Sequence, residues 1–326
     1  MNRLILSVLF ILINLMANAQ FDTNYVHLTK NRFTAYPMGE TAYMELNFRD
    51  ADIKEGTFKS TLSSRYATSV GFGMSFYRVG FSLSFQIPYS NIDELQGSKA
   101  FSFAGGYSYH RFYGELRYRN FKGFQKADVI HDSISSVTSI RKDIQLKQIG
   151  LALDYFFSKK YNFDAAYKNY NSQKKSAVTF LIMAGANKYD IKGRYLINDT
   201  SSVISDIDLI RDLDVLAVKL APGVAATFVY HNFYISSLFA MGASYNINTI
   251  FGDDNNVKVN SFAPVLEIRT VVGYNSTKWF TSLSINSEND FFFYDKVNMS
   301  VANVFLNFKI GYKFNSKYLG KIGKYL

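Results

Sequence analysis

The sequence predicts an all-β fold: a single closed antiparallel transmembrane β-barrel of about 12 strands (roughly 10–14), with short periplasmic turns and long extracellular loops. Apolar and polar residues alternate with a period of two along much of the chain, and no stretch keeps a helical period. The alternating stretches are about ten residues long, which suits tilted strands that cross a bilayer. The chain also holds 24 Tyr and 30 Phe beside one Trp, an excess typical of aromatic girdles at membrane interfaces.

Composition excludes several other classes. With 48% hydrophobic residues among 326, the chain can bury enough apolar surface to offset its ordering entropy, so disorder is excluded. The absence of Cys excludes disulfide scaffolds, thiolate catalysis and Cys-ligated zinc.

Residues 1–19 are typical of a secretory signal peptide. Arg3 precedes an apolar run over 4–16, and Ala17 and Ala19 form a small-x-small cleavage pattern. The alternative is a buried or spanning N-terminal helix, which needs a run of about 20 apolar residues. We therefore expect a mature chain starting near Gln20 and placed in the outer membrane of a Gram-negative cell.

The alternation assigns one face of each strand to lipid and the other to the lumen. The last strand shows it most clearly. Its apolar face carries Ala302, Val304, Leu306, Phe308, Ile310, Tyr312 and Phe314, whereas the opposite face carries Asn303, Phe305, Asn307, Lys309, Gly311 and Lys313.

Twelve segments are predicted as strands, with tight and long connections on opposite rims. Their ranges are 68–78, 80–88, 100–109, 111–121, 145–157, 161–171, 177–188, 215–230, 233–247, 261–275, 278–287 and 300–314. Tight turns are expected near Val79, His110, 158–160, 231–232 and 275–277, and long loops at 89–99, 122–144, 189–214, 248–260 and 288–299.

The strand count contains one inconsistency. An even number of strands must lie between the tight turns at 158–160 and 231–232, but three are predicted. Either a further strand lies within 189–214, near Tyr195, or the connection at 172–176 is misinterpreted.

The predicted organisation has four parts: the signal peptide, an N-terminal segment over 20–66, the barrel over 67–314 and a short basic tail over 315–326. The N-terminal segment is expected to be partly periplasmic or a plug, with 42–48 as a candidate first strand. In hydrocarbon every backbone N–H and C=O needs a partner, which favours a closed sheet because helices are lacking. A secreted soluble carbohydrate-binding β-barrel is the alternative, although it must cover its apolar face with another layer.

Several strand motifs resemble a known family. These are GFGMSFY at 71–77, GFSLSFQIP at 80–88, YRNFKGF at 118–124, QIGLALDYFF at 148–157 and KKSAVTFLIMAG at 174–185. They are similar to an uncharacterised family of Bacteroidetes outer-membrane β-barrel proteins catalogued as a domain of unknown function, over roughly residues 42–314. The resemblance implies location and architecture but brings no activity and no site residues.

The sequence contains no catalytic signature. His110 and His231 fall in predicted turns, where a polar residue is expected for conformational reasons. A barrel-embedded lipid-modifying enzyme with a Ser-His-Asp triad stays an alternative, since a triad is recognised by geometry and not by spacing. We predict neither a cofactor nor a metal site; the loop acids Asp206, Asp208, Asp212, Asp214, Asp253 and Asp254 lack the spacing of an EF-hand.

Charged residues on the polar faces form the candidate functional set. They are Glu115, Arg117, Arg119, Glu267, Arg269 and Lys309. One interpretation is that they fill the interior with cross-lumen ion pairs, Glu115 with Arg117 and Arg119, and Glu267 with Arg269. The other is that they favour anionic solutes. The functions considered are thus a structural or assembly component and a narrow pore for small anionic solutes. Outward cations such as Lys122 are expected to contact the phosphates of outer-membrane lipid and surface glycolipid, and no nucleic acid is expected as a partner.

Overall fold

A computed structural model describes residues 21–29, 32–50, 59–64, 67–88, 98–130, 133–196, 210–252, 256–294 and 297–315. Within these ranges the chain forms fifteen strands and one short π-helix, Asp164–Lys168. The strands are β1 (Val26–His27), β2 (Arg32–Asp50), β3 (Lys59–Ser63), β4 (Ala67–Phe76), β5 (Val79–Gln86), β6 (Lys99–Tyr109), β7 (Phe112–Ile130), β8 (Ser133–Phe156), β9 (Ser172–Gln173), β10 (Ala177–Lys192), β11 (Asp212–Tyr230), β12 (Phe233–Phe251), β13 (Asn256–Asn275), β14 (Trp279–Tyr294) and β15 (Val297–Asn315).

Twelve of these strands close into an antiparallel ring, which confirms the predicted fold class. The order around the ring is β2, β4, β5, β6, β7, β8, β10, β11, β12, β13, β14 and β15. β15 then pairs with β2 along nearly its whole length, from Val297 opposite Asp50 to Asn315 opposite Arg32. The sheet therefore has no free edge at this junction.

The ring has fewer strands at one end than at the other. β3 pairs with both β2 and β7, whereas β4, which follows β3 along the chain, pairs with β2 and β5. The β5–β6 hairpin is thus inserted between β4 and β7 in one half of the barrel only. Since barrel diameter grows with strand number, the cylinder narrows from twelve strands to ten toward the β3 end.

The two ends differ in their connections. The wide end, which we call the turn rim, has two-residue turns that include Tyr77, His110 and His231, each with a positive φ between 52° and 57°. This conformation is the one that tight hairpins require. The narrow end, which we call the loop rim, carries the connections that contain residues 51–58 and 197–209.

Loops at the loop rim are shorter than the sequence predicts. The predicted loops at 122–144, 248–260 and 288–299 are mostly continuations of β7, β8, β12, β13, β14 and β15. Their polar outer residues rise beyond the apolar belt as paired strands and still satisfy their backbone groups. Polarity on the outer face was therefore a poor indicator of where the strands end.

The prediction of a strand over 161–171 is wrong. Residues 158–176 leave the barrel wall after β8 and form an insert inside the turn rim, with the π-helix at its centre. Asn169 has φ 56°, in the left-handed region, and ends the helix. Without this strand the count becomes even, and Tyr195 and Leu196 belong to no strand.

The N-terminal part of the chain contributes directly to the barrel. The candidate strand at 42–48 lies within β2, so the wall begins at Arg32 and not at residue 67. Residues 21–29 lie against the insert, where Val26 pairs with Gln173 across a two-residue ladder. The predicted signal peptide and the predicted basic tail over 315–326 fall outside the described residues, apart from residue 315.

Side-chain alternation follows the predicted faces. On β15, Phe308 is 51% exposed and Ile310 is 47% exposed on the outer surface, whereas Phe305 points inward and is buried. Together the outward apolar side chains form a continuous apolar belt. It includes Val70, Phe72, Phe81, Phe85, Leu116, Ile149, Leu151, Leu153, Val178, Phe180, Ile182, Val218, Leu220, Val224, Phe239, Met241, Ile268, Val272, Leu283, Ile285, Leu306, Phe308 and Ile310.

Aromatic residues border the apolar belt on both sides, as predicted. At the turn rim neighbouring rings touch around the wall: Trp279 lies 4.7 Å from Tyr312, and Tyr312 lies 4.8 Å from Phe314. Toward the loop rim Tyr245 lies 5.0 Å from Phe262. Aromatic residues suit this position because one end of the ring is apolar and, in Tyr and Trp, the other is polar.

Candidate functional site in the barrel lumen

A layer of charged side chains crosses the lumen at mid-height. Arg117 of β7 donates to the Glu288 carboxylate of β14 at 2.9 Å, and its Nε lies 3.2 Å from Glu115 Oε1. Lys219 of β11 also pairs with Glu288 and lies 3.8 Å from Asp290 Oδ1. Because these groups are almost fully buried, the mutual pairing offsets the cost of removing each charge from water.

A second ion pair joins this layer. Arg269 pairs with Glu267 on the same face of β13, and Glu267 lies 4.0 Å from Lys219. Glu115 pairs with Arg117 and Glu267 pairs with Arg269, but each pair lies within one strand and not across the lumen. Arg119, which the sequence also paired with Glu115, lies 3.8 Å from Glu288. The lumen therefore contains a connected network and not separate pairs.

The six candidate lumen charges lie together around one cavity. The cavity has a volume of about 140 Å³. Its lining contains Glu115, Arg117, Arg119, Glu267, Arg269 and Lys309, together with Glu288 and Lys168. All six side chains therefore lie on the inner side of the wall.

Four members of this layer are not among the residues predicted from the sequence. Glu288 and Asp290 lie in a stretch interpreted as a loop, and Lys168 lies in the wrongly predicted strand. Lys219 was missed although it carries the only charge between Val215 and Gly252. An isolated charge on the inward face of an otherwise apolar strand is a signal that could have identified it.

An apolar layer fills the lumen on the loop-rim side of the charges. Its side chains come from β2, β3, β7, β8, β10, β11, β14 and β15 and are buried. They include Met44, Leu46, Phe48, Leu62, Phe124, Ile144, Leu146, Ile191, Leu213, Phe292 and Val301. Ten strands enclose a narrower lumen here, and apolar side chains occupy it.

The insert fills the lumen on the turn-rim side. Its rings stack against the wall: Tyr113 lies 4.2 Å from Phe163, which lies 4.7 Å from Tyr167. Polar contacts fix its position, since Tyr234 donates to the Ala166 carbonyl at 2.8 Å and Asn275 donates to the Asn171 carbonyl at 2.9 Å. The charged layer is therefore covered on both sides.

Histidines do not form a catalytic group in the described residues. His110 and His231 occupy the two-residue turns, as expected, and each packs against the preceding Tyr ring. Burial and the guanidinium groups of Arg78 and Arg111 lower the pKa of His110. His27 is exposed in β1, and His131 lies outside the described residues.

Neither a metal-binding cluster nor a membrane-spanning helix is present in the described part of the chain. No group of three or more His, Asp or Glu there is arranged to hold a metal ion. Asp212 and Asp214 lie at the loop-rim end of β11, and the other loop acids considered for calcium fall outside the described residues. No described helix has the length and apolar character to cross a bilayer.

A family model matches residues 20–314 of the chain, nearly its whole length; its description is a domain of unknown function, DUF4421. The chain belongs to the DUF4421 family. A search of curated proteins found no match to this DUF4421 chain.

Solved structures of outer-membrane barrels are similar to the DUF4421 barrel in architecture. Neisserial surface protein A aligns at 10% identity and a TM-score of 0.23, over 86% of this chain and 97% of that one. The outer-membrane protein AlkL aligns at 9% identity and a TM-score of 0.30, over 92% and 98%. The translocator domain of autotransporter NalP from Neisseria meningitidis aligns at 8% identity and a TM-score of 0.33, over 90% of each chain.

We expect Lys219→Met to lower the free energy of unfolding by about 3–5 kcal/mol, because it leaves Glu288 and Asp290 with too little positive charge in a buried site. Urea unfolding of the refolded protein in detergent measures this. Lys192→Met is the matched control: its ammonium lies 3.4 Å from Asp190 but is largely exposed, so the loss there is at most about 1 kcal/mol. Equal effects of the two substitutions would contradict a stabilising network in the lumen.

Proposed function

We propose that this DUF4421 chain is an integral outer-membrane β-barrel with a sealed lumen, which acts as a structural or assembly component and not as an open pore. The observation that carries the proposal is the combination of an apolar belt on the outside with a lumen packed on both sides of the charged layer. In water the barrel would expose the whole apolar belt to solvent, which is unfavourable in free energy. Large contiguous apolar patches on a protein surface mark sites of contact with proteins or membranes.

The edges of the apolar belt support the membrane position. On β10 the outward side chains are apolar from Val178 to Ala186 and become charged at Lys188. With about 3.3 Å per residue and a tilt of about 40°, this stretch spans roughly 20 Å along the barrel axis. That height is close to the apolar band of about 25 Å in outer-membrane barrels. On β11 the same boundary falls between Asp214 and Leu216.

Two rival functions have less support. A secreted soluble barrel requires a second layer over the apolar belt, and in the described residues none lies there. A lipid-modifying triad requires a His beside a nucleophile near the lipid interface, whereas His110 and His231 serve as turn residues.

A narrow pore for small anionic solutes stays the second candidate, because cations line the cavity, but it requires the insert and the apolar layer to move.

Outward lysines suggest a lipid partner. Lys99 and Lys122 face each other across the β6–β7 ladder, both exposed on the outer surface at the loop-rim edge of the apolar belt. Like charges directly opposite each other destabilise a sheet. A phosphate group of an outer-membrane lipid or surface glycolipid would bridge the two ammonium groups. We therefore include such a lipid phosphate in the proposal as the partner of this edge.

Membrane insertion is tested by two arginine substitutions on the outer face of β11. Val224→Arg places a charge within the apolar belt and should destabilise the barrel in phospholipid vesicles by about 2–4 kcal/mol. Asp214→Arg lies on the same face beyond the belt and should change the stability by less than about 1 kcal/mol. Urea titration in vesicles gives both values, and similar values for the two variants would refute the membrane position.

Planar-bilayer recording separates the sealed barrel from the pore. We expect no stepwise conductance above background from purified, refolded protein, because in the described part of the chain the insert and the apolar layer fill the lumen on the two sides of the charges. Heat-modifiable migration on gels provides the control that the protein is folded. Reproducible single-channel steps that prefer anions would favour the pore instead.

The lipid partner is tested with the double variant Lys99→Gln/Lys122→Gln. Vesicles that contain a phosphorylated lipid A should stabilise the wild type more than neutral phosphatidylcholine vesicles do, by about 1 kcal/mol for each lysine. The double variant should lose this difference. Lys278 is an exposed lysine at the turn rim, and the Lys278→Gln variant should keep the stability difference between the two kinds of vesicle. Loss of that difference in Lys278→Gln would indicate non-specific charge attraction.

A further inference from the structure

The lumen cavity has one wall of small side chains and one wall of charged ones. The small wall comes from β4, β5 and β6, where Ser75, Gly80, Ser82, Ala104 and Gly106 face inward. The charged wall comes from β7, β13, β14 and β15 and from the insert. Because these side chains are small, they leave the space of the cavity unfilled. The residue types on β4, β5 and β6 therefore account for the cavity.

The three acids that line the cavity are already neutralised. Glu288 accepts from Arg117 and Lys219, and Glu267 pairs with Arg269. Glu115 lies 3.2 Å from Arg117 and also accepts from the Tyr113 hydroxyl. Each of these carboxylates is therefore in contact with at least one of the cations Arg117, Lys219 and Arg269.

Two cations on the cavity wall are left with weak partners. The Lys309 ammonium forms no ion pair with any described acid, and it lies 5.5 Å from the ring centre of Tyr36. Arg119 lies 3.8 Å from the shared Glu288, donates to the Gln148 amide oxygen at 3.2 Å and lies 3.8 Å from the ring centre of Phe305. Glu40 interacts electrostatically with both but is not in ion-pair contact with either.

A third cation comes from the insert. Lys168 donates to Ser108 at 3.1 Å and lies 3.5 Å from Asp164, and its ammonium lines the cavity beside Gly106. A Cβ atom at Gly106 would lie 3.1 Å from Lys168 Nζ. The glycine thus allows the ammonium to reach the small wall, near enough to Lys309 for mutual repulsion.

Of the three cations around the cavity, Lys309 has no ion-pair partner among the described acids, and Lys168 and Arg119 each have one, at 3.5 Å and 3.8 Å. A further negative charge in the cavity would therefore be stabilised. Burying a cation without a partner is costly, and like charges at close range add to that cost. A guanidinium and two ammonium groups together match an oxyanion, because charge-assisted hydrogen bonds to its oxygens are short and strong. A cavity of about 140 Å³ holds several waters or one small polyatomic ion, since one water needs only about 10–15 Å³.

We propose that the lumen cavity is a binding site for a small oxyanion, a phosphate or a carboxylate, held by Arg119, Lys168 and Lys309. This site goes beyond a structural role and exists whether or not the lumen ever opens. Because Lys168 belongs to the insert and the other two cations belong to the wall, the bound anion joins the insert to the barrel. Binding therefore stabilises the sealed state.

The test is thermal unfolding of the full-length protein refolded in detergent in the presence of increasing inorganic phosphate or, separately, succinate, against chloride at equal ionic strength, so that the anion is present before the lumen closes. We expect a rise in the melting temperature with at least one of the two anions, since a ligand that binds only the folded state stabilises it, and the dependence of that rise on anion concentration gives the Kd. Lys309→Gln and Lys168→Gln should each raise the Kd at least about tenfold, the loss expected for a charged hydrogen bond.

Controls separate the site from general charge. Lys258→Gln removes an exposed lysine of β13 and should leave the Kd unchanged, and Lys309→Arg should keep most of the affinity. If Lys309→Gln does not fold, as judged by heat-modifiable migration, Lys168→Gln decides the test because it changes the insert and leaves the wall intact.

Two results would overturn the site: no rise in the melting temperature of the folded wild type with either anion, or the same Kd in the wild type and in the Lys168→Gln and Lys309→Gln variants. Which anion binds distinguishes a phosphate from a carboxylate ligand. Conductance is not measured in this assay, so a failed oxyanion site leaves the sealed outer-membrane barrel standing.

Discussion

The pairing of β15 with β2 is the constraint on which the rest of the molecule depends. In hydrocarbon an unpaired backbone N–H or C=O costs several kcal/mol, so a twelve-strand sheet with two open edges would not be stable there. The ladder from Val297 opposite Asp50 to Asn315 opposite Arg32 removes both edges. Closure also brings together charges that are far apart in the sequence, such as Arg117 and Glu288.

Closure gives the lumen a polar centre between two packed layers. Buried ion pairs contribute little net stability compared with apolar packing, so the charged layer of this barrel is not explained by stability alone. Its network leaves some groups paired twice and others, such as Lys309, nearly unpaired. An interior filled only for packing would be expected to pair its charges evenly. The weakly paired cations of this lumen are instead what an anion-binding site would have.

The sequence predicted the wall better than the interior. Period-two alternation assigned the faces of β7, β13 and β15 correctly because the inward and outward environments differ sharply in polarity. It failed at 161–171, where Tyr161, Phe163 and Tyr167 alternate with polar residues but face other lumen side chains and not lipid. Alternation reports a change of environment every second residue, and an insert packed inside a barrel can produce the same pattern.

The charged network was only partly accessible from the sequence, for a related reason. The pairs within one strand, Glu115 with Arg117 and Glu267 with Arg269, are two residues apart and visible as a local pattern. The bond from Arg117 to Glu288 joins residues 171 positions apart, so it depends on barrel closure and strand stagger. No local pattern contains that information.

The change of strand partner between β3 and β4 has a consequence for how such barrels arise. β3 already runs beside β7, and β4 continues in the same direction, so removal of the β5–β6 hairpin would let β4 continue the existing ladder along β7. A ten-stranded and a twelve-stranded cylinder are then related by the gain or loss of a single hairpin. Lumen width in this architecture can change in one genetic step, without rebuilding the opposite wall.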